Sequence, residues 1–171
     1  RYNKPPGLVT THKDEKGRET VFDALRQELP RVVSVGRLDL NSEGLLLLTN
    51  DGGLARKLEL PSNGWIRKYR VRAYGDITPA MIAQMKKGVV AGGINYGSVE
   101  AVVDSKQGGN TWLTVSLKEG KNREIRKIFE HFNCKVSRLL RVSYGPFILG
   151  KLERGEVQEV PKKVLTSFVG K

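Results

Sequence analysis

Three short segments carry side chains whose types and spacing could do chemistry. In Gly36-Arg37-Leu38-Asp39-Leu40-Asn41-Ser42-Glu43-Gly44, a compact polar turn stands between the apolar runs Val32 to Val35 and Leu45 to Leu48, so the Asp39 carboxylate is mounted on a rigid base. A carboxylate partly withdrawn from water can stabilise a developing positive charge, attack as a nucleophile, or take up a proton. Asp also bonds its own backbone in turns, and on residue type alone a turn cap is its commoner role. The second segment, Arg67-Lys68-Tyr69-Arg70-Val71-Arg72-Ala73, alternates, which puts Tyr69, Val71 and Ala73 on one strand face and Lys68, Arg70 and Arg72 on the other. Tyr69 could be core or could stack on a nucleobase. The third, Glu119-Gly120-Lys121-Asn122-Arg123-Glu124-Ile125-Arg126-Lys127, opens a helix with basic side chains, and Lys135, Arg138 and Arg141 follow closely. Helix-start amides with Arg and Lys suit phosphate, and an arginine here could also pair with a catalytic carboxylate; a merely solvated charged face is the plainer alternative.

The overall charge points the same way. With 30 Lys and Arg against 18 Asp and Glu, the chain carries a net +12, which implies a polyanionic partner, while 39% apolar residues make it a folded domain with a basic surface rather than a disordered tail. Six basic residues lie between Arg56 and Arg72 against the single acid Glu59, enough for several salt-dependent phosphate contacts. The two histidines, His12 and His131, are far apart, and no His/Cys cluster has zinc-ligand spacing, so no metal is expected. Gly145 to Lys151 imitates the start of a phosphate-binding loop, but Leu152 stands where Ser or Thr should hold magnesium. A single cysteine, Cys134, and no apolar stretch of membrane length fit a cytoplasmic protein.

The elements that must position these residues follow from period and punctuation. Thr20 caps a helix expected over 21–29, ended by Pro30; a buried strand covers 32–35, and the chain returns through 45–49 to the turn Asn50-Asp51-Gly52-Gly53. Strands are expected at 66–74, 98–104, 111–118, 135–142 and 157–160. Thr78, Pro79 and Gly88 bracket one helix, and a last one starts at Pro161. Ile125, Ile128, Phe129 and Phe132 make the buried stripe of a helix over 122–132. Adjacent strands broken by scattered helices predict an α+β fold with a mixed, largely antiparallel sheet and flanking helices, in one domain over 1–171 with two possible lobes, about 1–62 and 63–171.

Taken in order, the segments resemble the RsuA-type family of pseudouridine synthases, which isomerise uridine to pseudouridine in ribosomal RNA. The likeness runs through Tyr2-Asn3-Lys4-Pro5-Pro6-Gly7, Gly36 to Gly52, Lys68-Tyr69, Glu119 to Arg126, and Arg138 to Gly145. It implies the pseudouridine synthase catalytic fold. Asp39 would be the catalytic aspartate, Tyr69 the aromatic residue that packs on the target base, and Arg126 the basic partner of Asp39. Arg37 matches an arginine that takes the space vacated by the target nucleotide. With it, Lys68, Arg70, Lys121, Arg123, Arg138 and Arg141 are the expected RNA-binding residues. At Glu124 many members carry Gln, so the hydrogen bond of that amide is not assumed. A small N-terminal RNA-binding domain, present in many members, has no counterpart in this chain.

The implied reaction breaks the bond from ribose to base nitrogen, turns the bound uracil and rejoins it through carbon, so nothing is oxidised and no cofactor is expected. Flipping the nucleotide out costs a few kcal/mol, of which stacking on Tyr69 could recover ~1–3 kcal/mol. The expected partner is ribosomal RNA, of the large subunit in preference to the small, met by a monomer. A non-catalytic RNA- or ribosome-binding domain is the main alternative, and a metal-dependent nuclease the lesser one.

Overall fold

A computed structural model describes residues 1–169. The chain forms two units, one of Arg1–Asn63 with Ser143–Lys171 and one of Gly64–Val142. In the first unit, β1 (Tyr2–Lys4), α1 (Val21–Ala24), β2 (Val33–Val35), β3 (Glu43–Thr49) and α2 (Gly52–Glu59) follow one another. Strand β3 is central and pairs antiparallel with both β1 and β2. Its leucines 45, 46 and 47 are all buried, which is why this strand reads as an unbroken apolar run instead of an alternation.

The helix expected over 21–29 is shorter than its pattern. Thr20 and Asp23 form a reciprocal capping box, but the helical stretch ends at Ala24 and turns carry the chain on to Pro30. Asp51, read as part of a turn, caps α2 by accepting from the amides of Gly53 and Leu54 at 3.0 and 3.1 Å.

The second unit contains β4 (Arg67–Tyr74), α3 (Pro79–Lys87), β5 (Val89–Ala91), β6 (Ile94–Tyr96), β7 (Val99–Gln107), β8 (Asn110–Leu117), α4 (Glu124–His131) and β9 (Lys135–Tyr144), whose last two residues belong to the first unit. Its strands lie in the order β9-β4-β8-β7, with β8 antiparallel to both β4 and β7. Alternation sets the layers: Val71, Ala73, Ala101, Leu113 and Val115 are buried with Met81 and Met85 of α3 and with Ile125, Ile128 and Phe129 of α4. Gly88 ends α3 at φ +100, and a Cβ there would lie 2.9 Å from the carbonyl oxygen of Tyr96, so glycine is required on two counts.

Past β9, β10 (Phe147–Ile148) makes a short hairpin with Ser143 and Tyr144. The strand expected at 157–160 reduces to one bridge between Val157 and Tyr2, and α5 (Lys162–Val169) closes the described chain. The architecture is α+β with a largely antiparallel sheet and flanking helices. Among the described residues no helix is long and apolar enough to cross a membrane.

Candidate active site

In the first unit, Asp39 is half-buried in the loop from β2 to β3. Gly36, at φ +68, turns the chain out of β2, and its amide donates to Glu59 at 2.8 Å. Next to Asp39, the buried Leu38 accepts the Thr10 hydroxyl at its carbonyl (3.0 Å), and the Leu40 carbonyl accepts the Gly7 amide (2.7 Å). The Ser42 amide closes the turn on the Asp39 carbonyl at 3.0 Å.

Below this turn lies Lys4, with 0% of its surface exposed. Its ammonium donates to the carbonyls of Pro5 (3.0 Å), Leu40 (3.1 Å) and Ser42 (2.8 Å). Burial pulls the Lys4 pKa down to about 8, while the carboxylates of Glu43 and Asp39 act in the other direction. Glu43 is itself buried and meets Arg154 at 2.7 Å. The Asp39 turn is thus held by a buried cation from β1, two of whose donors are spent on carbonyls just after the aspartate. Arg37, two residues before Asp39, is exposed.

In the second unit, Tyr69 is half-buried and packs on the core cluster, on the helix-covered face of β4. Arg126 is half-buried on α4, and its Nη1 donates to the Val136 carbonyl of β9 at 3.4 Å. Helix α4 is entered through Arg123 in the left-handed conformation, φ +52, with no side-chain cap. The loop before it is tied from several sides. The Gly97 amide donates to Glu119 at 2.6 Å, Arg67 donates to the Lys118 carbonyl at 2.8 Å, and Lys121 lies 3.1 Å from Glu119 while also donating to the Asn95 carbonyl.

Glu124, 4% exposed, accepts the Lys121 amide at 3.1 Å. Burial, and then a hydrogen bond and repulsion from the neighbouring Glu119, push its pKa up to about 7, so near neutrality it retains a proton. A protonated carboxyl presents a donor, as a Gln at this position would. Of the remaining expected RNA-binding residues, Lys68 and Arg123 are exposed and Arg141 is buried, whereas Arg70 and Arg138 converge with Arg72 on the outer face of the sheet.

A family model described as RNA pseudouridylate synthase matches residues 1–131. The chain belongs to this family. A Rickettsia bellii (strain RML369-C) protein, named as an uncharacterized RNA pseudouridine synthase, is 54% identical over 163 residues, 95% of this chain and 70% of the relative. Ribosomal large subunit pseudouridine synthase B of Buchnera aphidicola subsp. Schizaphis graminum (strain Sg) is 46% identical over 159 residues, covering 91% of this chain and 62% of its own length. In fold, a crystal structure of pseudouridylate synthase matches with a TM-score of 0.83 at 23% identity, over 95% of this chain and 69% of that one. The RsuA-type resemblance seen in the ordered motifs therefore holds.

For this synthase, reading residue types assigned no task to Lys4, Thr10 or Glu119. The one available signal was a lysine inside a segment that otherwise reads as packed structure. Replacing Lys4 by Met leaves the Pro5, Leu40 and Ser42 carbonyls without their donor, at a cost of ~1–3 kcal/mol. The expected outcome is a lower melting temperature with a larger fractional loss of activity than of RNA affinity, read by thermal melts and turnover assays. Glu124 yields a pH prediction. Because its folded pKa, about 7, lies above the ordinary 4.5, the native state keeps a proton that the unfolded chain loses, so stability falls as pH rises through that window. Glu124→Gln removes this fall. Its melting temperature should gain on the parent's by a few degrees between about pH 5 and pH 8, a gain that parallel melting curves across that range would contradict.

Proposed function

We propose that the chain isomerises a specific uridine of large-subunit ribosomal RNA to pseudouridine, with the Asp39 carboxylate as the catalytic group. The observation that carries this is the family match spanning the Asp39 turn, together with relatives named as ribosomal large subunit pseudouridine synthase B. The turn itself supports it, since the backbone on both sides of Asp39 is tied down, by Thr10 at Leu38 and by the buried Lys4 at Leu40 and Ser42, so the loop that carries the carboxylate is already ordered.

In this reading Tyr69 packs on the flipped uracil and Arg126 is the basic counterpart of Asp39. Tyr69 stands on a strand face whose other members are core, so its side chain is packed against buried neighbours. Arg37, Lys68, Arg70, Lys121, Arg123 and Arg138 supply positive charge for the RNA backbone, within a chain of net +12, whereas Arg141, 4% exposed, is too buried to touch it. Cleavage of the glycosidic bond leaves positive character on the ribose, which an ionised carboxylate can stabilise, trap, or relieve by taking a proton. The protein acts as a monomer in the cytoplasm, where ribosomal RNA is made and assembled.

Asp39→Asn preserves shape and removes the charge. It should bring pseudouridine formation in ribosomal RNA below detection, in a chemical assay for the modified base, while RNA affinity stays within about twofold. Full activity in that variant would overturn the assignment, and unchanged binding with no conversion even in the parent would favour a non-catalytic binding domain. At Tyr69, Phe keeps the stacking ring and Ala removes it. Tyr69→Ala should lose ~10–100-fold in kcat/KM and Tyr69→Phe much less, whereas equal losses would assign the work to the hydroxyl.

A further inference from the structure

The face of the second unit's sheet that turns away from α3 and α4 carries a cluster in which Arg70 and Arg138, named above as charge for the RNA backbone, gather with Arg72 on Trp112, an aromatic residue to which the proposed function gives no task. Trp112 of β8 is half-exposed there and lies opposite Arg72 of β4 in the strand register. Three guanidinium carbons surround its ring: Arg70 at 5.1 Å, Arg72 at 5.8 Å and Arg138 at 5.8 Å from the centroid. Lys68 is exposed on the same row of β4, and Val102 of β7, opposite Thr114, is 62% exposed. Arg72 donates to Ser137 at 2.9 Å. Asp104, which accepts the Thr114 hydroxyl at 2.8 Å, lies 3.5 Å from Arg70.

The placement is unusual on two counts. Indole is the largest apolar side chain, yet it stands on the solvent side of a strand whose neighbours Leu113 and Thr111 are buried. Three guanidiniums within 6 Å of one ring repel one another, and Asp104 lies 3.5 Å from one of them, Arg70. The ring's negative face offsets part of that repulsion. A polyanion would relieve the rest, and the flat ring, the guanidinium planes and the exposed Val102 favour one that also brings flat, apolar surfaces. Single-stranded RNA has both, with phosphates for the guanidiniums and bases to stack on indole and Arg planes. An acidic peptide would use the charge and leave the aromatic surface idle.

We propose that Trp112, with Arg70, Arg72 and Arg138, forms a stacking platform for an unpaired segment of the RNA substrate, apart from the target nucleotide. Alternation along β4 puts Tyr69 and this cluster on opposite faces of the sheet, so the two aromatic residues serve different nucleotides. That the RNA is ribosomal rests on the function proposed above; the platform itself is tested without turnover.

The experiment uses the full chain with Trp65→Phe, which leaves Trp112 as its sole tryptophan, and three probes: a 12-nucleotide single-stranded uridine-rich RNA, a 12-base-pair RNA duplex and polyglutamate. The single strand should quench Trp112 fluorescence saturably, the duplex much less, and polyglutamate not at all. Trp112→Ala should weaken single-strand binding ~10-fold by anisotropy, and Trp112→Phe less than ~3-fold. Arg70→Gln with Arg72→Gln should lower the slope of log affinity against log salt by ~1.4. Pseudouridine formation in a short RNA that reaches only the target site should persist in Trp112→Ala, which also shows that the variant folds. No quenching with unchanged Trp112→Ala affinity would overturn the platform, as would equal quenching by polyglutamate, which would assign the face to an acidic protein. Failure of the parent to form pseudouridine would overturn the proposed reaction and leave the binding result standing.

Discussion

A lysine ammonium with no exposed surface is the constraint on which the rest of the first unit depends. Burying such a charge is expensive unless every donor is satisfied, and Lys4 survives there because three carbonyls surround it and two carboxylates lie near. Two of those carbonyls belong to residues just after Asp39, 36 and 38 positions along the chain. The final form of the Asp39 turn therefore depends on the pairing of β1 along β3, and losing the lysine leaves carbonyls without that donor. The rigidity of the Asp39 turn is thus obtained from a buried charge and not from apolar packing alone.

The second unit follows the same logic with the opposite sign. Ahead of α4, the carboxyls of Glu119 and Glu124 share a crowded space with Lys121, the Gly97 amide and the Asn95 carbonyl, and these contacts fix the loop that precedes Arg126. A Gln at Glu124 would hold this loop by an amide and be indifferent to pH. With Glu, burial and the neighbouring Glu119 raise the carboxyl's pKa to about 7 beside the loop that leads to Arg126.

Much of the fold was legible in the residues because its signals are local. The alternation in Arg67–Tyr74, the Thr78, Pro79 and Gly88 bracket of α3, and the Ile125–Ile128–Phe129 stripe of α4 each depend on neighbours within a turn or two. The β5–β6 hairpin over Gly92-Gly93, at φ +59 and +77, is local too, but its strands of three residues are too short to show an alternation and read in sequence only as a glycine-rich stretch. Signals set by distant partners were not legible. The 157–160 segment finds a single bridge partner in Tyr2, and residues 25–30 lose the helix their composition favours to turns. In the candidate site, Asp39 on its own looked like a turn residue, and its ordered company with Tyr69 and Arg126 singled it out. Lys4 and Trp112 gave no such sign, since what matters about each is a set of contacts from far along the chain.

The central claim is that Asp39 converts one uridine of ribosomal RNA, and it is tested most directly in the cell. Pseudouridines are mapped across the large-subunit RNA of cells lacking the protein, complemented either by the parent or by Asp39→Asn at equal abundance. The account predicts that one site is lost in the deletion and restored by the parent alone. Restoration by Asp39→Asn, or a deletion that loses no site, would contradict it.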